Sequence, residues 1–445
     1  MKLKKIEIKN FKSLKDCSVD FRDFNVVVGP NASGKTNFVE LFKLLRKIYE
    51  DKDSFPFQEW WGYDNIVWGG KEELPVVVKL LFESDGYNLS FETVFTGVGG
   101  KFQILREVLE MEGILTLERE GEWVRVRHNE KFFEEAWGEI HGRQGTFSPN
   151  INQLLERGKE NLIRQTVRIS EEGIYIFGYG KTSSFSENFA LTLVNYQHQP
   201  PQQILIFEPF IKEEETIVRE RKGKMTLTPL SWYLEREIRG FIRKITILRE
   251  LNIREMKEPQ KQRRDFHLSE DGSNVCNVLY NQFLKENKIP DRFDSLMSYI
   301  FLDTNLKFEL TPDGRVLMKV FERYASGGLL ELYPPGISDG FYKALTILTA
   351  LESEPSLLIV DEVENSLHAK ALALIIDELK MSECVTILTT HSPAVVDIVS
   401  PEDLILVEKG DEGSVFRRRE KPEEVRTELS ERGITLSERW LYGKL

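Results

Sequence analysis

The sequence predicts an α/β fold: a core sheet with helical crossovers, an antiparallel β subdomain, and a mainly helical insertion between the two ends of the chain. Three observations predict it. The apolar run Phe24–Val28 ends at a glycine-rich loop and is followed by helical spacing. From Pro75 to Val126, apolar and polar residues alternate between Gly-, Asp- or Glu-bearing turns, as in an antiparallel sheet. The last third alternates strand-like and helix-like stretches, the pattern of a parallel sheet with crossovers.

The elements follow in order. Leu3, Ile6, Ile8 and Phe11 define a first strand, and Cys17–Phe21 a second. Phe24–Val28 has no polar alternation beyond Asn25 and reads as buried on both faces. Thr36–Tyr49 carries Phe38, Leu41, Phe42, Leu44, Leu45 and Ile48 at helical spacing. Strands are expected at Val76–Phe82, Tyr87–Thr96, Phe102–Met111, Ile114–Glu118 and Trp123–Val126. Asn129–Ser186 yields no firm assignment, and the charge run Glu213–Lys224 reads as a solvated face. Leu230–Leu251, Asn274–Lys285 and Phe293–Phe301 read as helices, Leu306–Leu310 and Val316–Phe321 as a hairpin turning at Asp313-Gly314. Phe341–Leu351 and Ala369–Leu379 are expected as helices, and Leu357–Val360 and Val385–Thr389 as buried strands. Residues 1–128 and 295–445 are thus expected to form one head around an insertion at 129–294.

Chemistry concentrates in four places. Gly29-Pro30-Asn31-Ala32-Ser33-Gly34-Lys35-Thr36 satisfies every fixed position of a phosphate-binding loop, between a buried strand and a helix. Glycines let backbone N–H groups approach phosphate oxygens, the helix N-terminus adds positive potential, Lys35 suits the β- and γ-phosphates, and the Thr36 hydroxyl suits Mg²⁺. Leu357–Val360 delivers Asp361, suited to the Mg²⁺ shell, and Glu362, suited to polarising water. Val385–Thr389 delivers Thr390, His391 and Ser392 to the end of a strand, where His391 would meet a phosphate or the attacking water. Ser338, before Phe341–Leu351, fits either a helix cap or a phosphate contact, and its company favours the second.

The order GPNASGKT, ISDGFYKAL, LLIVDEVENSLH, TTHSP resembles the ABC-ATPase set of Walker A, signature, Walker B with D-loop, and H-loop. KIEIKNFKSLKD, DEVENSLH, LSEDGSNVCNVLYNQF and ITLSERWLYGKL resemble its RecF/SMC-like and OLD-type branch more than transporters, as does the long stretch between Thr36 and Ser338. The resemblance is weak across Asn129–Lys257. It implies an ABC-ATPase head of the RecF/SMC type, with ATP and Mg²⁺ as ligands. Gly29, Asn31, Ala32, Ser33, Gly34, Lys35, Thr36 and Asn37 would hold the phosphates, with Thr36 and Asp361 on Mg²⁺. Glu362, His391 and Lys35 would be catalytic. Ser338 and Gly340 would contact ATP bound on a second protomer, with His368 at the interface, so ATP binding would form a homodimer. The family's Q-loop glutamine has no clear counterpart; Gln58 and Gln103 fit by position only, and Val67–Lys71 is a third candidate.

A formal net charge of −12 excludes a chain coated in positive charge, though not a local basic groove. Lys2, Lys4, Lys5, Lys9, Lys12 and Lys15 form one basic group, and Lys257, Lys261, Arg263 and Arg264 another; each fits a DNA backbone or a solvated face. Trp60, Trp61, Tyr63 and Trp68 fit core packing better than a partner surface. Cys17, Cys276 and Cys384 have no metal-ligand spacing, no signal sequence is evident, and no apolar run spans a bilayer, so a cytoplasmic protein away from membranes is expected. Three functions remain: a DNA-associated ATPase in repair, chromosome maintenance or phage defence that acts with a separate effector protein; a nucleotide-gated switch for such an effector without DNA; and a transporter ATPase, disfavoured by spacing. The resemblance also leads us to expect no nuclease of the OLD type, since only Ser392–Leu445 follows His391.

Overall fold

A computed structural model describes residues 1–84, 86–113, 115–120, 123–129, 162–168, 237–290, 293, 297, 300, 304–323, 327–418 and 421–442. These residues fall into two units, 1–20 with 41–243 and 21–40 with 244–445.

The first unit is built on an antiparallel sheet. Its strands are β1 (Lys2–Phe11), β2 (Leu14–Asp20), β4 (Val76–Ser84), β5 (Tyr87–Thr96), β6 (Gln103–Met111), β7 (Leu115–Glu120), β8 (Trp123–Asn129) and β9 (Leu162–Arg168), in the order β2-β1-β4-β5-β6-β7-β8-β9. A register shift between Leu3 and Lys5 keeps Leu3, Ile6 and Ile8 all buried on one face. Strands expected between Val76 and Val126 are present, and β9 adds a strand in a stretch that gave no assignment. Tyr63 is buried as expected, whereas the Trp61 side chain lies in solvent at 91% exposure, against the expectation of core packing. Trp61 adopts φ of 67° at the end of a short turn, which points its ring away from the core.

The second unit holds β3 (Phe24–Val28), β10 (Ile245–Leu248), β15 (Leu357–Val360), β16 (Val385–Thr390), β17 (Leu404–Gly410) and β18 (Gly413–Arg418), in the order β10-β15-β16-β3-β17-β18. All neighbours are parallel except β17 and β18. Helix α1 (Lys35–Tyr49) leaves β3; α2 (Val275–Glu286), α3 (Asp339–Glu352), α4 (Ala369–Lys380), α5 (Pro393–Ile398), α6 (Pro422–Arg432) and α7 (Leu436–Leu441) follow. A small sheet has β12 (Thr304–Leu310) on one side of β13 (Arg315–Arg323), while β11 (Gln260–Lys261) and β14 (Leu329–Leu332) pair with opposite ends of β13. The hairpin between β12 and β13 turns at Gly314, whose φ of 77° suits glycine. Every residue of α3 from Phe341 to Leu351 is buried, so the helix packs on all sides. Thr346 and Thr349 fit there because their hydroxyls donate to Tyr342 O and Leu345 O, each at 2.7 Å.

The expected helix Leu230–Leu251 is corrected. Residues 237–243 are helical, but Ile245–Leu248 is β10, in parallel register with β15 from Ile245↔Leu357 to Leu248↔Val360. Buried, largely β-branched ITIL fits an edge strand of a parallel sheet, and the pairing outweighs the helical spacing of the preceding residues. The second unit therefore resumes at Lys244, inside the stretch expected to be an insertion. The run Glu213–Lys224 lies outside the described residues, as does Phe293–Phe301 except Phe293, Met297 and Ile300, which are buried. Among the described residues no helix is long and apolar enough to cross a membrane.

In the first unit, Tyr49 anchors the end of α1. Its buried hydroxyl donates to Thr93 Oγ1 at 2.6 Å and Glu107 Oε1 at 3.1 Å, and Arg119 Nη1 lies 3.3 Å from Glu107 Oε2. Glu107 is fully buried and Arg119 almost so. Breaking one side of a buried ion pair is costlier than replacing both. Glu107→Ala should cost about 3–5 kcal/mol of stability, and the double replacement Glu107→Leu with Arg119→Leu should cost less. Denaturant titration of both variants checks this; a double variant as damaged as the single one would contradict it.

Candidate active site

The site begins where β3 ends. Gly29 must be glycine, because a Cβ there would overlap the carbonyl oxygen of Val407 in β17. The loop then curls through Ala32 at φ 62° and Gly34 at φ 111°, a conformation that turns successive N–H groups inward. Ser33 N donates to Pro30 O at 3.3 Å, and Phe38 N to Gly34 O at 3.0 Å, so the curl runs directly into α1. Lys35 folds back over the loop, donating to Gly29 O at 2.7 Å and Pro30 O at 3.0 Å. Asn31 and Thr36 are exposed, Asn37 is half-buried, and the Ser33 hydroxyl is buried without a hydrogen-bond partner. Burial pushes the Lys35 ammonium below its ordinary range, and Asp361, Glu362 and Glu364 pull it back.

Parallel pairing brings the acids beside this loop. β16 lies between β15 and β3, with Val360↔Leu388 and Val28↔Thr390 in register. Asp361 N donates to Leu248 O at 2.9 Å, which holds it at the end of the strands. The Asp361 carboxylate accepts from the Thr389 hydroxyl through Oδ1, and its Oδ2 lies 3.5 Å from Arg249 Nε. Burial raises the Asp361 carboxyl above its ordinary value, while Thr389 and Arg249 oppose the rise.

Glu362 takes the uncommon φ of 47°, and three contacts fix it there. Its N–H donates to Thr389 Oγ1 at 3.0 Å, its carbonyl accepts from Lys343 Nζ at 3.3 Å, and its Oε2 accepts from Asn365 Nδ2 at 2.7 Å. His391 Nδ1 lies 4.0 Å from Glu362 Oε1 and 3.4 Å from Glu364 Oε1. Glu364 Oε1 also accepts from Thr390 Oγ1 at 2.8 Å and from His391 N at 3.2 Å, so Glu364 orients the histidine. Its other oxygen is buried without a hydrogen bond.

The remaining candidates sit apart from this cluster. Ser338 caps α3, its hydroxyl accepting from Phe341 N at 3.2 Å, and Asp339 pairs with Lys257 at 2.8 Å. Gly340 lies so close to the loop after Glu362 that a Cβ would come within 2.6 Å of Ser366 O. His368 caps α4, with Nδ1 accepting from Ala371 N at 3.2 Å. None of Ser338, Gly340 and His368 shares a hydrogen bond or ion pair with Lys35, Asp361, Glu362 or His391 among the described residues. Gln58 opens a short 3₁₀ turn and Gln103 opens β6; both are exposed in the first unit. Sequence reasoning missed Arg249, Lys343, Thr389 and Glu364. For Thr389 a signal existed, since strand register places it opposite the residue after Val360.

Residues 24–397 match a family described as "AAA domain, putative AbiEii toxin, Type IV TA system". The chain belongs to this AAA-domain family. RecF of Lactococcus lactis subsp. cremoris (strain MG1363), a DNA replication and repair protein, is 36% identical over 83 residues, 18% of this chain and 23% of RecF. The chromosome partition protein Smc of Methanocaldococcus jannaschii is 56% identical over 39 residues, 8% of this chain and 3% of Smc. The alignments thus cover less than a quarter of these curated relatives. Among solved structures, the SMC head domain from Thermotoga maritima aligns over 94% of this chain and 100% of its own, at 14% identity and a TM-score of 0.39. An Smc head bound to the C-winged helix domain of ScpA aligns over 95% and 100%, at 13% identity and a TM-score of 0.47. The family match and the local likeness to RecF and Smc agree with the ABC-ATPase head of the RecF/SMC type that the motifs led us to expect. Its family is one of nucleotide-binding ATPases.

Lys343 gives the site a measurable signature. Burial pushes its ammonium down to about 8 from the ordinary 10.5, against the pull of Glu364, Asp361 and Glu362. The folded value lies below the unfolded one, so the unfolded chain binds more protons between them, and this group's contribution to stability rises with pH across that window. The stability of the parent relative to Lys343→Met should therefore increase above about pH 8, by up to about 1.4 kcal/mol per pH unit. Denaturant melts of both proteins at about pH 7 and about pH 9.5 check it; a constant difference would mean that Lys343 stays charged.

Proposed function

We propose that this chain binds ATP with Mg²⁺, hydrolyses it, and closes into a homodimer around the nucleotide to drive a DNA-related process with a separate effector protein. The observation that carries the reading is the convergence of the curled Gly29–Thr36 loop, Asp361, Glu362 and His391 at the ends of neighbouring parallel strands. The residues fit the ligands. The Gly29 approach leaves no room for a side chain, the Ser33 hydroxyl is buried with no protein partner, and the donors of the loop face acids across the strand ends.

In this reading the loop N–H groups, Lys35 and the α1 N-terminus hold the phosphates. Asn31 lies within the loop and Asn37 directly after it, and Ala32 and Gly34 give the loop its curl. The Thr36 hydroxyl and Asp361 would hold Mg²⁺, which when bound neutralises charge developing on the β- and γ-phosphates. Glu362 orients and polarises the attacking water, and its fixed backbone keeps the carboxylate aimed. His391, set by Glu364, contacts the γ-phosphate. Ser338 and Gly340 at the start of α3, and His368 at the start of α4, would act on the nucleotide of a partner copy across a two-fold interface. Lys35→Ala should lose most ATP binding. Glu362→Gln should keep binding and lose turnover by about 10²–10⁴-fold. Light scattering of the Glu362→Gln protein should show dimers only with ATP, and none after Ser338→Arg; parental turnover in Glu362→Gln would remove Glu362 as the base.

The structure weighs the two basic groups differently for DNA. Lys4 pairs with Glu83 at 2.9 Å, Lys5 with Glu7 at 2.8 Å, and Lys9 with Asp16 at 3.9 Å, which favours a solvated face there. Lys257 is engaged with Asp339, but Lys261, Arg263 and Arg264 are exposed. Asn277 Nδ2 donates to Lys261 O at 3.0 Å, and Asn281 Nδ2 to Arg263 O at 2.8 Å and Asp265 O at 2.9 Å, so α2 holds this strap extended. Duplex DNA should bind through these residues with an affinity that falls with salt. Replacing all three by Glu should flatten the slope of log affinity against log salt by about 3, read by fluorescence anisotropy. Salt-independent or absent binding by the parent favours the alternative, a nucleotide-gated switch acting on its effector without DNA.

A further inference from the structure

Arg249 belongs to none of the motifs, yet it touches both halves of the candidate site. It follows β10 directly, so the parallel pairing of β10 with β15 sets it beside the residue that follows Val360. Its Nε faces Asp361 Oδ2 at 3.5 Å, its Nη1 lies 3.1 Å from Glu40 Oε1 on α1, and its Nη2 lies 3.1 Å from Glu250 Oε1. The Nε is buried and makes no hydrogen bond; it meets Asp361 as an ionic contact, while the two outer nitrogens hold the guanidinium in place. Both Arg249 and Glu40 are largely buried, at 20% and 13% side-chain exposure, which separates this pair from screened surface bridges.

We propose that Arg249 is a positioning residue that locks the Asp361 carboxylate for the metal and ties it to the phosphate-loop helix through Glu40. The proposal rests on the ATPase reading above. Asp361 is held from two directions, by the Thr389 hydroxyl on Oδ1 and by Arg249 on the Oδ2 side. With Oδ1 hydrogen-bonded and Oδ2 drawn toward the guanidinium, the carboxylate favours one orientation about its terminal bond, and an ordered carboxylate binds a divalent ion with less loss of freedom. The same guanidinium joins Glu40, one turn into α1, to the end of β15, so the Thr36 hydroxyl and Asp361 are held in one frame. A guanidinium suits this task because its fork meets two carboxylates at fixed angles, which an ammonium cannot do. A purely structural role predicts something else: a general loss of stability, with nucleotide and metal affinities falling together.

The test uses the full chain carrying Glu362→Gln, so that binding is read without turnover. ATP binding is titrated by calorimetry in EDTA and then at rising Mg²⁺. Adding Arg249→Ala should raise the half-saturating Mg²⁺ by about 10–100-fold, the range for removing a group that orients a metal ligand, and leave metal-free ATP affinity within about twofold. Arg249→Lys, which keeps the charge and loses the fork, should fall between, and Glu40→Gln should give a smaller shift in the same direction. These two variants keep the question open to decision if Arg249→Ala does not fold. An unchanged Mg²⁺ requirement in Arg249→Ala or Arg249→Lys would overturn the proposal, as would a parallel loss of metal-free binding. If the Glu362→Gln parent takes up no ATP under any condition, the ATPase reading falls, and that result is separate from any effect of Arg249.

Discussion

The pairing of β3 between β16 and β17 is the constraint on which the site depends. Phe24–Val28 meets Thr386–Thr390 on one side and Leu404–Leu406 on the other, so residues more than 350 apart in sequence are held side by side. The strand is buried throughout, and its one polar residue is fully satisfied. Asn25 Nδ2 donates to Thr386 O at 3.0 Å and to Arg22 O at 2.7 Å, and its Oδ1 accepts from Arg22 N at 2.9 Å and from Arg418. A buried amide left unpaired costs free energy at every misregistered pairing, so Asn25 helps choose the register. Register in turn fixes where the loop after Val28 stands relative to Asp361 and His391.

A second constraint is charge. Asp361, Glu362 and Glu364 crowd one end of the sheet, with Glu40 on the neighbouring helix. Three cations answer them from three different elements: Lys35 from α1, Arg249 from the end of β10, and Lys343 from within α3. Each cation is substantially buried, and each is held by main-chain carbonyls or carboxylates. Like charges this close in a partly dehydrated cluster are tolerated only with such partners. The fold thus commits one charge from each surrounding element to a single location.

Much of this was legible in the sequence because the informative patterns are local. The phosphate loop is a contiguous motif, and Asp361, Glu362 and His391 follow short buried strands whose ends are easy to place. Ser338, too, falls at a recognisable helix start. The unread part is long-range. Ile245–Leu248 follows residues with helical spacing, and a four-residue apolar run carries no periodicity that separates helix from edge strand. Arg249 and Lys343 look like any charged residue until β10 and α3 are placed against β15. Glu364 is one acid among several in DEVENSLH, and only the orientation of the turn shows that it serves His391. Trp61 ran the other way: composition suggested the core, while a left-handed turn sends it out.

Helix α3 carries the consequence furthest. Its first residues stand at Ser338 and Gly340, and its second turn reaches the Glu362 carbonyl through Lys343. Gly340 is in close contact with Ser366, itself in a left-handed conformation in the same loop as Glu362. Eleven consecutive buried residues leave α3 no exposed face along which it can slide without unpacking. Its N-terminus and the loop bearing Glu362 are therefore mechanically coupled at two points, one a close backbone contact and one a buried ammonium. A side chain at position 340 would collide with the Ser366 carbonyl, so the start of α3 and the turn that follows Glu362 approach this closely only because residue 340 is glycine.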